Sequence, residues 1–267
     1  MNQEELLHQQ DLERIKKFRL MDDDFMTKVF DNDNEAVQLV LQIIMEKDDL
    51  IVQNVKTQKT ITNLRGRGAR LDVDACDSSK TQYDIEVQRS DKGASRHRAR
   101  FNSSVIDANM LPAGDENYDF HDQYVIFITE NDVLSAGKPI YHIERIILET
   151  SEPFNDGEHI IYVNGSIKDN DTPLGRLMHD FNVSDPDQMY YKILADKTRY
   201  FKEDKEGVKT MCKAMEEMRY EEKIRVIISL YKKGHLTLAI AAEELGITQE
   251  EVRELAKQTT YVGKVTA

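Results

Sequence analysis

The sequence predicts an α/β fold with a helical C-terminal extension. Strand-like segments, either alternating with a period of two or apolar on both faces, occur before residue 166. From Thr172 onward Pro and Gly thin out, and a helical period runs through 187–203 and 205–233. Hydrophobic residues make up 40% of the chain and charged residues 32%, which allows a core under a very polar surface. Strands followed by helices favour a mixed core with an appended helical part.

The first half of the predicted core begins with a helix over about 22–47, where apolar residues recur every three or four positions. Asp33 or Asn34 is a suitable cap for a helix that begins near Glu35. Three strands and a helix follow, each with its own apolar period: Leu50–Lys59, Arg70–Ala75, Gln82–Arg89 and the helix Ser95–Met110, with Phe101, Val105 and Ala108 on one side.

The second half of the core contains one strand that is apolar on both faces, Tyr124–Glu130, as expected for a central strand covered by two layers. Ile140–Leu148 and His159–Asn164 are two further predicted strands. The segment 234–255 reads as a short helix, a break at Gly246, a cap at Thr248 and a second helix. We therefore expect a core over 1–170, a helical extension over 171–233 and a small helix-turn-helix-like tail over 234–267.

The composition excludes several classes of protein. Two Cys in 267 residues argue against a disulfide scaffold and agree with a reducing compartment. No apolar run approaches the roughly 18 residues of a membrane helix, and the N-terminus lacks the apolar core of a signal peptide. These features predict a cytoplasmic protein without a membrane partner.

The charge is distributed unevenly along the chain. The net charge is −13, which makes the whole protein a poor non-specific binder of nucleic acid. Between Arg65 and Arg100, however, nine basic residues outnumber six acidic ones. This basic island encloses a tight group of acids, and it is where we expect the function to reside.

The acids lie on two neighbouring predicted strands. If the connecting loop places Asp72 opposite Glu86, then Asp74 lies opposite Asp84, and the four carboxylates share one face with Gln88. Like charges directly opposite each other destabilise a sheet, so a compensating cation is expected. Mg²⁺ suits this arrangement, because it takes carboxylate oxygens together with water and phosphate. The alternative is that alternating strands simply expose acids to solvent.

Three segments in this region resemble the PD-(D/E)XK nuclease superfamily. They are R-L-D-V-D-A (70–75), Y-D-I-E-V-Q-R-S-D-K-G (83–93) and R-A-R-F (98–101). More narrowly, they are similar to the branch of recombination-promoting nucleases and transposases known as the Rpn family. The later segments 124–132, 140–145 and 159–165 are also similar to this branch, so that the resemblance covers roughly 18–230.

The resemblance implies a restriction-endonuclease-like mixed sheet flanked by helices. It also implies that Asp72 and Glu86 ligate Mg²⁺, with Mn²⁺ as an alternative, and that Glu35 is a candidate third carboxylate from the first helix. The lysine of the superfamily motif falls at Gln88, as in many members of this branch. An amide cannot carry a positive charge or exchange a proton near neutral pH, but it can orient a water molecule.

Arginines near the acids are the predicted contacts for DNA phosphate. Arg96 and Arg100 lie four apart on one helix face, and Arg70 and Arg89 flank the two acidic strands. Arg98 lies on a different face and is a weaker candidate. A plain solvated helix face is the alternative for the first pair.

The sequence thus predicts a Mg²⁺-dependent DNA endonuclease linked to recombination or transposition, the biological role resting on the family name. The first alternative is a nuclease-derived protein that binds DNA or a partner without cutting, because the lysine is absent and the charge is unfavourable. A weaker alternative is an RNA-cleaving enzyme. The acidic C-terminal tail is expected to serve packing or a homodimer more than DNA reading.

Overall fold

The structure is a computed structural model that describes residues 3–61, 68–110 and 120–262. Helices in these ranges are α1 (Gln3–Lys17), α2 (Asp23–Phe30), α3 (Asn34–Met45), α4 (Arg96–Met110), α5 (Pro173–Asn182), α6 (Lys192–Glu203), α7 (Lys205–Lys232), α8 (Leu238–Leu245) and α9 (Gln249–Val262). Strands are β1 (Val52–Ile61), β2 (Ala69–Asp77), β3 (Gln82–Gln88), β4 (Gln123–Thr129), β5 (Ile140–Ile143), β6 (Ile146–Ile147), β7 (Glu152–Pro153) and β8 (Glu158–Asn164).

Six strands form a mixed sheet in the order β1-β2-β3-β4-β8-β5. Strands β1, β2 and β3 are antiparallel neighbours, β3, β4 and β8 are parallel, and β5 is antiparallel to β8. The parallel pair β3 and β4 is joined through α4, which is the connection that a parallel pair requires. The predicted mixed sheet flanked by helices, with a helical C-terminal part, is confirmed.

Strand β4 is the centre of the core, as its apolar sequence predicts. Its residues Val125, Ile126, Phe127 and Ile128 are all fully buried. Helix α4 packs over the face that carries Val125 and Phe127, together with Ala99, Val105 and Ile106 from the helix itself. Helices α2 and α3 pack against β1, and α2 also reaches β2.

The predicted helix over 22–47 is two helices, α2 and α3. Asn32 has a left-handed backbone with φ of 53°, which interrupts the first helix. Asp33 then caps the second one, because its carboxylate accepts a hydrogen bond from the Ala36 N–H at 2.9 Å. The acid-rich turn therefore ends one helix and starts the next.

The predicted strand Ile140–Leu148 is also divided. Strand β5 ends at Ile143, the last residue of this segment that pairs with β8. Arg145 turns its side chain to Asp156 at 3.0 Å, and the chain then forms a separate two-stranded sheet, in which Ile146 pairs with Pro153. The sequence does not mark this change of partner, because apolar residues lie on both sides of it.

Two helices were not predicted, α1 and α5. Helix α5 begins with the pattern Thr172–Pro173, in which the Thr hydroxyl accepts from the Gly175 N–H at 3.0 Å. Its Phe181 ring lies 6.2 Å from the Phe30 ring of α2. In the described part of the chain, no helix is both long and apolar enough to cross a membrane.

Contacts divide the chain into two compact units, Met1–Val208 and Lys209–Ala267. The first unit contains the sheet together with α5 and α6. The reason is apolar packing: the Phe201 ring of α6 lies 6.4 Å from the Phe25 ring of α2. The second unit has its own core, which includes Ile228, Leu245 and Val252.

Candidate active site

The β2–β3 pair has the register that the sequence predicts. Asp74 lies opposite Asp84, and Val73 lies opposite Ile85. Asp72 and Glu86 follow directly beyond this last pair, where the strands part. There the Asp72 carboxylate accepts a hydrogen bond from the Val87 N–H at 3.3 Å. Acids from two strands are thereby placed on one face at the end of the hairpin.

Asp72, Glu86 and Gln88 converge on one point. The Gln88 Nε2 atom lies 3.3 Å from Asp72 Oδ2 and 3.3 Å from Glu86 Oε2, so a single amide touches both carboxylates. Asp72 is 6% exposed and Glu86 is fully buried. The three predicted catalytic residues are therefore brought together.

Burial makes this site favourable for a cation. It raises the pKa of Asp72 to about 8, and the negative charges of Glu86 and Asp23 add to the effect, against the opposing charge of Arg98. Burial likewise raises the pKa of Glu86, with a further contribution from Asp84 and an opposing one from Arg98. A positive charge between the carboxylates would relieve their repulsion.

Helix α4 supplies the side chains that hold Glu86. The Arg98 guanidinium forms a salt bridge with the Glu86 carboxylate, bonds to the Gly93 carbonyl oxygen at 3.0 Å and lies over the Phe127 ring. The Asn102 amide nitrogen donates to Glu86 and to Asp84, at 3.0 Å each. The arginine next to the acids is thus Arg98, and not Arg96 or Arg100.

The two other hairpin acids differ from each other. Asp74 is partly exposed and pairs with Lys59 at 2.7 Å. Asp84 is fully buried, and its Oδ1 atom has no hydrogen-bond partner among the described residues. Burial raises the pKa of Asp84 to about 8. The other oxygen of this carboxyl group, Oδ2, accepts from Asn102, which also donates to Glu86.

The four arginines predicted to contact phosphate differ in exposure and in whether a carboxylate pairs with them. Arg89 pairs with Asp22 at 2.7 Å and with Glu130 at 3.3 Å, so it holds neighbouring segments together. Arg70 is exposed. Burial raises the pKa of Asp24, and the charge of Arg70 is among those that oppose this rise. Arg96 and Arg100 are exposed, and no carboxylate in the described residues pairs with either.

Glu35 is not brought to the site. It is exposed in the first turn of α3, next to Asn34, whose side chain bonds to the Gln53 carbonyl oxygen at 2.9 Å. Gln53 and Gln58 are five residues apart on β1, which is roughly 16 Å at about 3.3 Å per residue. Asp72 lies across from Gln58, so the end of β1 near Glu35 is far from Asp72. The helix acid near Asp72 is Asp23, which accepts from the Gln58 amide at 3.1 Å.

The sequence does not point to Asp23 or Asn102 as site residues, and it ranks Arg98 below Arg96 and Arg100. Arg98 and Asn102 lie four apart on α4, so helical spacing was the available signal. The buried face of α4 includes Asn102 and Ser103, whereas Ala108 is exposed, so an apolar stripe could not orient this helix. The sequence shows Asp23 only as an acid at the start of a helix, which does not indicate that it lies near Asp72.

The donor set is compatible with Mg²⁺. No group of three or more His, Cys, Asp and Glu side chains in residues 3–61, 68–110 and 120–262 is arranged to hold a metal ion. Mg²⁺ is commonly bound by only one or two carboxylates, with waters and substrate phosphate completing its shell. Asp72 and Glu86 offer such a pair, and the Asp84 carboxyl group shares a hydrogen-bond partner, Asn102, with Glu86.

Comparison with known proteins identifies the chain at the level of the family. A search of the curated proteins found no match, and a search of the solved structures found none either. Residues 23–169 match the PD-(D/E)XK nuclease family transposases, a stretch that contains the whole acidic hairpin and α4. The chain belongs to the PD-(D/E)XK nuclease family transposases.

Proposed function

We propose that this protein is a metal-dependent DNA endonuclease that hydrolyses phosphodiester bonds. The observation that carries the proposal is the convergence of Asp72 and Glu86 on one amide nitrogen, with both carboxylates buried and both pKa values raised. Structural acids on a hairpin do not need to be buried side by side. Burying two acids side by side costs free energy, and a site that carries this cost is expected to have a function.

Asp72 and Glu86 are the residues that would hold Mg²⁺, or Mn²⁺ in its place. When bound, the ion neutralises charge on a scissile phosphate and lowers the pKa of a coordinated water. The Gln88 amide orients a water molecule but cannot take its proton. Arg98 and Asn102 fix the Glu86 carboxylate, so they act as positioning residues.

Arg96 and Arg100 are proposed to contact the DNA backbone. Both side chains are exposed on α4, the helix whose Arg98 reaches Glu86. Because neither is engaged by a carboxylate in the described part of the chain, both guanidinium groups are available to phosphate. A role in recombination or transposition is supported by the family to which the chain belongs.

A second candidate is a nuclease-derived protein that binds DNA without cutting it. It is favoured by Gln88, which stands where the superfamily has lysine, and by the salt bridge between Arg98 and Glu86, which already supplies a positive charge to one of the carboxylates. In this case Arg98 would replace the ion and not assist it.

Plasmid nicking tests the proposal. We expect the wild-type protein to nick supercoiled plasmid with Mg²⁺ and not with EDTA, at low salt so that weak DNA binding is retained. Asp72→Asn and Glu86→Gln should each reduce nicking by about 100-fold or more, because each removes a charge aimed at the site. Asp74→Asn is the matched control, since Asp74 pairs with Lys59 on the same face.

The outcomes separate the two candidates. Nicking at the wild-type rate by both site variants would refute the assignment of Asp72 and Glu86. DNA binding without nicking by the wild-type protein, with either Mg²⁺ or Mn²⁺, would favour the second candidate. Parallel assays on single-stranded RNA would reveal an RNA-cleaving activity.

A further inference from the structure

A cavity of about 390 Å³ lies on the α4 side of the sheet and is not used by the proposed site. Its walls are largely apolar and include two tyrosine rings, with one arginine: Arg96, Ala136, Tyr141, Ile143, Ile160 and Tyr162. This volume falls within the range of small-ligand sites, which combine apolar walls with a few polar groups.

The cavity lies in one row with the catalytic carboxylates. Glu86 is the register partner of Phe127, Phe127 of Tyr162, and Tyr162 of Tyr141, across four neighbouring strands. At about 4.8 Å between strands, the Tyr162 position is about 10 Å from that of Glu86. This distance is roughly three base steps along a duplex at about 3.4 Å each.

Arg96 places a positive charge in the wall of the cavity. The first turn of α4 contains Arg96, His97 and Arg98 and no acid, although a helix N-terminus already carries a partial positive charge. Arg96 is exposed and has no carboxylate partner in the described residues, and Arg100 follows one turn later. A bound polyanion would offset the repulsion between these basic residues and the helix N-terminus.

Arg96 also reaches the aromatic wall of the cavity. Arg96 and Tyr162 both line the cavity. Burial raises the pKa of the Tyr162 phenol, and the charge of Arg96 opposes this rise. The Tyr162 hydroxyl donates to the Ala94 carbonyl oxygen at 3.0 Å, and its ring stacks on Phe127. These two contacts hold the Tyr162 ring in place, and the Arg96 guanidinium lies in the same wall.

We propose that this cavity receives one unpaired base of a DNA strand whose backbone lies on the catalytic face. A nucleotide joins a flat apolar body to an anionic phosphate, which matches apolar walls with an arginine at the entrance. The inference rests on the proposed endonuclease function and specifies its substrate class: DNA with an unpaired nucleotide close to the cut site.

Binding without divalent metal tests the inference apart from cleavage. Two duplexes that differ only in one unpaired 2-aminopurine are compared in EDTA with the 267-residue chain. We expect the wild-type protein to bind the duplex with the unpaired base roughly 10-fold more tightly, a value within the range for one stacked base, and to change the fluorescence of that base.

Two variants fill the cavity from different segments. Ala136 is exposed in the loop before β5, so Ala136→Trp is expected to fold, and Ile143→Trp fills the space from β5. Each should abolish the preference and leave affinity for the paired duplex unchanged. Arg100→Gln, outside the cavity, should weaken both duplexes by the same factor.

Two results would overturn the inference while leaving the endonuclease proposal intact: equal wild-type affinity for the two duplexes, or a preference that persists in both Trp variants of unchanged melting temperature. If the wild-type protein neither binds nor nicks any duplex, the proposed function fails together with this inference.

Discussion

Gln88 determines how the two motif carboxylates meet. It donates to both from one nitrogen atom, but it is neutral and leaves their charge uncompensated. The compensating charge comes from Arg98, which lies on a different element and contacts only Glu86 of the pair. At this site, therefore, Asp72 is the carboxylate most in need of a cation.

Gly93 controls the position of Gln88. A Cβ atom at residue 93 would lie 2.0 Å from Gln88 Oε1, so Gly93→Ala must displace the amide. Because the displaced atoms are the end of a flexible side chain, we expect little change in melting temperature but roughly a 10-fold loss of plasmid nicking, typical of a misplaced supporting group. Ser90→Ala, at an exposed residue nearby, is the control. Unchanged nicking in Gly93→Ala would show that Gln88 has no role.

Asp84 makes stability depend on pH. Burial raises its pKa to about 8 in the folded protein, against about 4 in the unfolded chain. The folded state thus holds this proton more tightly, so the stabilisation is complete below pH 4 and is lost as the pH rises through 8. In EDTA, the melting temperature of the wild-type protein should fall between pH 5 and pH 9.

Asp84→Asn should flatten this dependence, because it removes one buried charge and keeps an acceptor for Asn102. Thermal melts at several pH values measure the effect. Asp74→Asn, which removes an acid paired with Lys59, should not flatten the curve. Parallel curves for the wild-type protein and Asp84→Asn would contradict the role of burial at this position.

The sequence predicts the meeting of Asp72, Glu86 and Gln88 because a two-residue period and a loop fix the register of one hairpin. It does not predict Arg98 or Asn102, since the rotation of α4 about its axis depends on polar side chains that are buried against the sheet. Asp23 depends on how α2 lies across β1, which no local pattern encodes.

At the scale of elements, β1 is distorted directly across from Asp72. Gln58 has a left-handed backbone with φ of 53°, and its amide bonds to Asp23 at 3.1 Å and to Thr27 at 2.9 Å. Such a conformation costs a non-glycine residue on the order of 1 kcal/mol. The two hydrogen bonds to α2 offset this cost and bring Asp23 near Asp72.

Lys202 ties α6 to two segments that precede it in the chain. Its ammonium donates to three backbone carbonyl oxygens, those of Lys16, Phe18 and Ser184, and the residue is 9% exposed. Lys202→Met would leave these acceptors unpaired, so we expect the free energy of unfolding to fall by about 2 kcal/mol or more. Urea denaturation measures it, with the exposed Lys205→Met as control. Equal loss in both variants would contradict the anchoring role.

The elements that sequence predicts best are those with a strong period. Strands β2, β3, β4 and β8 were placed to within two residues at each end. The helix over 22–47 and the strand Ile140–Leu148 were each predicted as one element, because their apolar patterns continue across a turn at Asn32 and across a change of partner after Ile143. An apolar period indicates which residues are buried, but it does not show where the chain turns or where a strand changes its partner.

At the scale of the molecule, the net charge of the chain is opposite in sign to the exposed charge on α4. The chain carries a net charge of −13, yet the exposed cations Arg96 and Arg100 lie on the helix that also holds Glu86. DNA binding through so few phosphate contacts should be weak, and its affinity should fall only modestly as salt increases, because few counterions are released. The predicted helical extension over 171–233 is divided at residue 208, because α5 and α6 contribute to the core of the first unit.

Metal binding by the 267-residue chain tests the central claim most directly. We expect Mn²⁺ titrated into the protein, followed by its paramagnetic resonance signal, to bind to the wild-type chain and to Asp74→Asn, and binding to be lost in Asp72→Asn and in Glu86→Gln. An absence of ion uptake by the wild-type protein, or uptake that is equal in all four proteins, would contradict a metal site at the end of the β2–β3 hairpin.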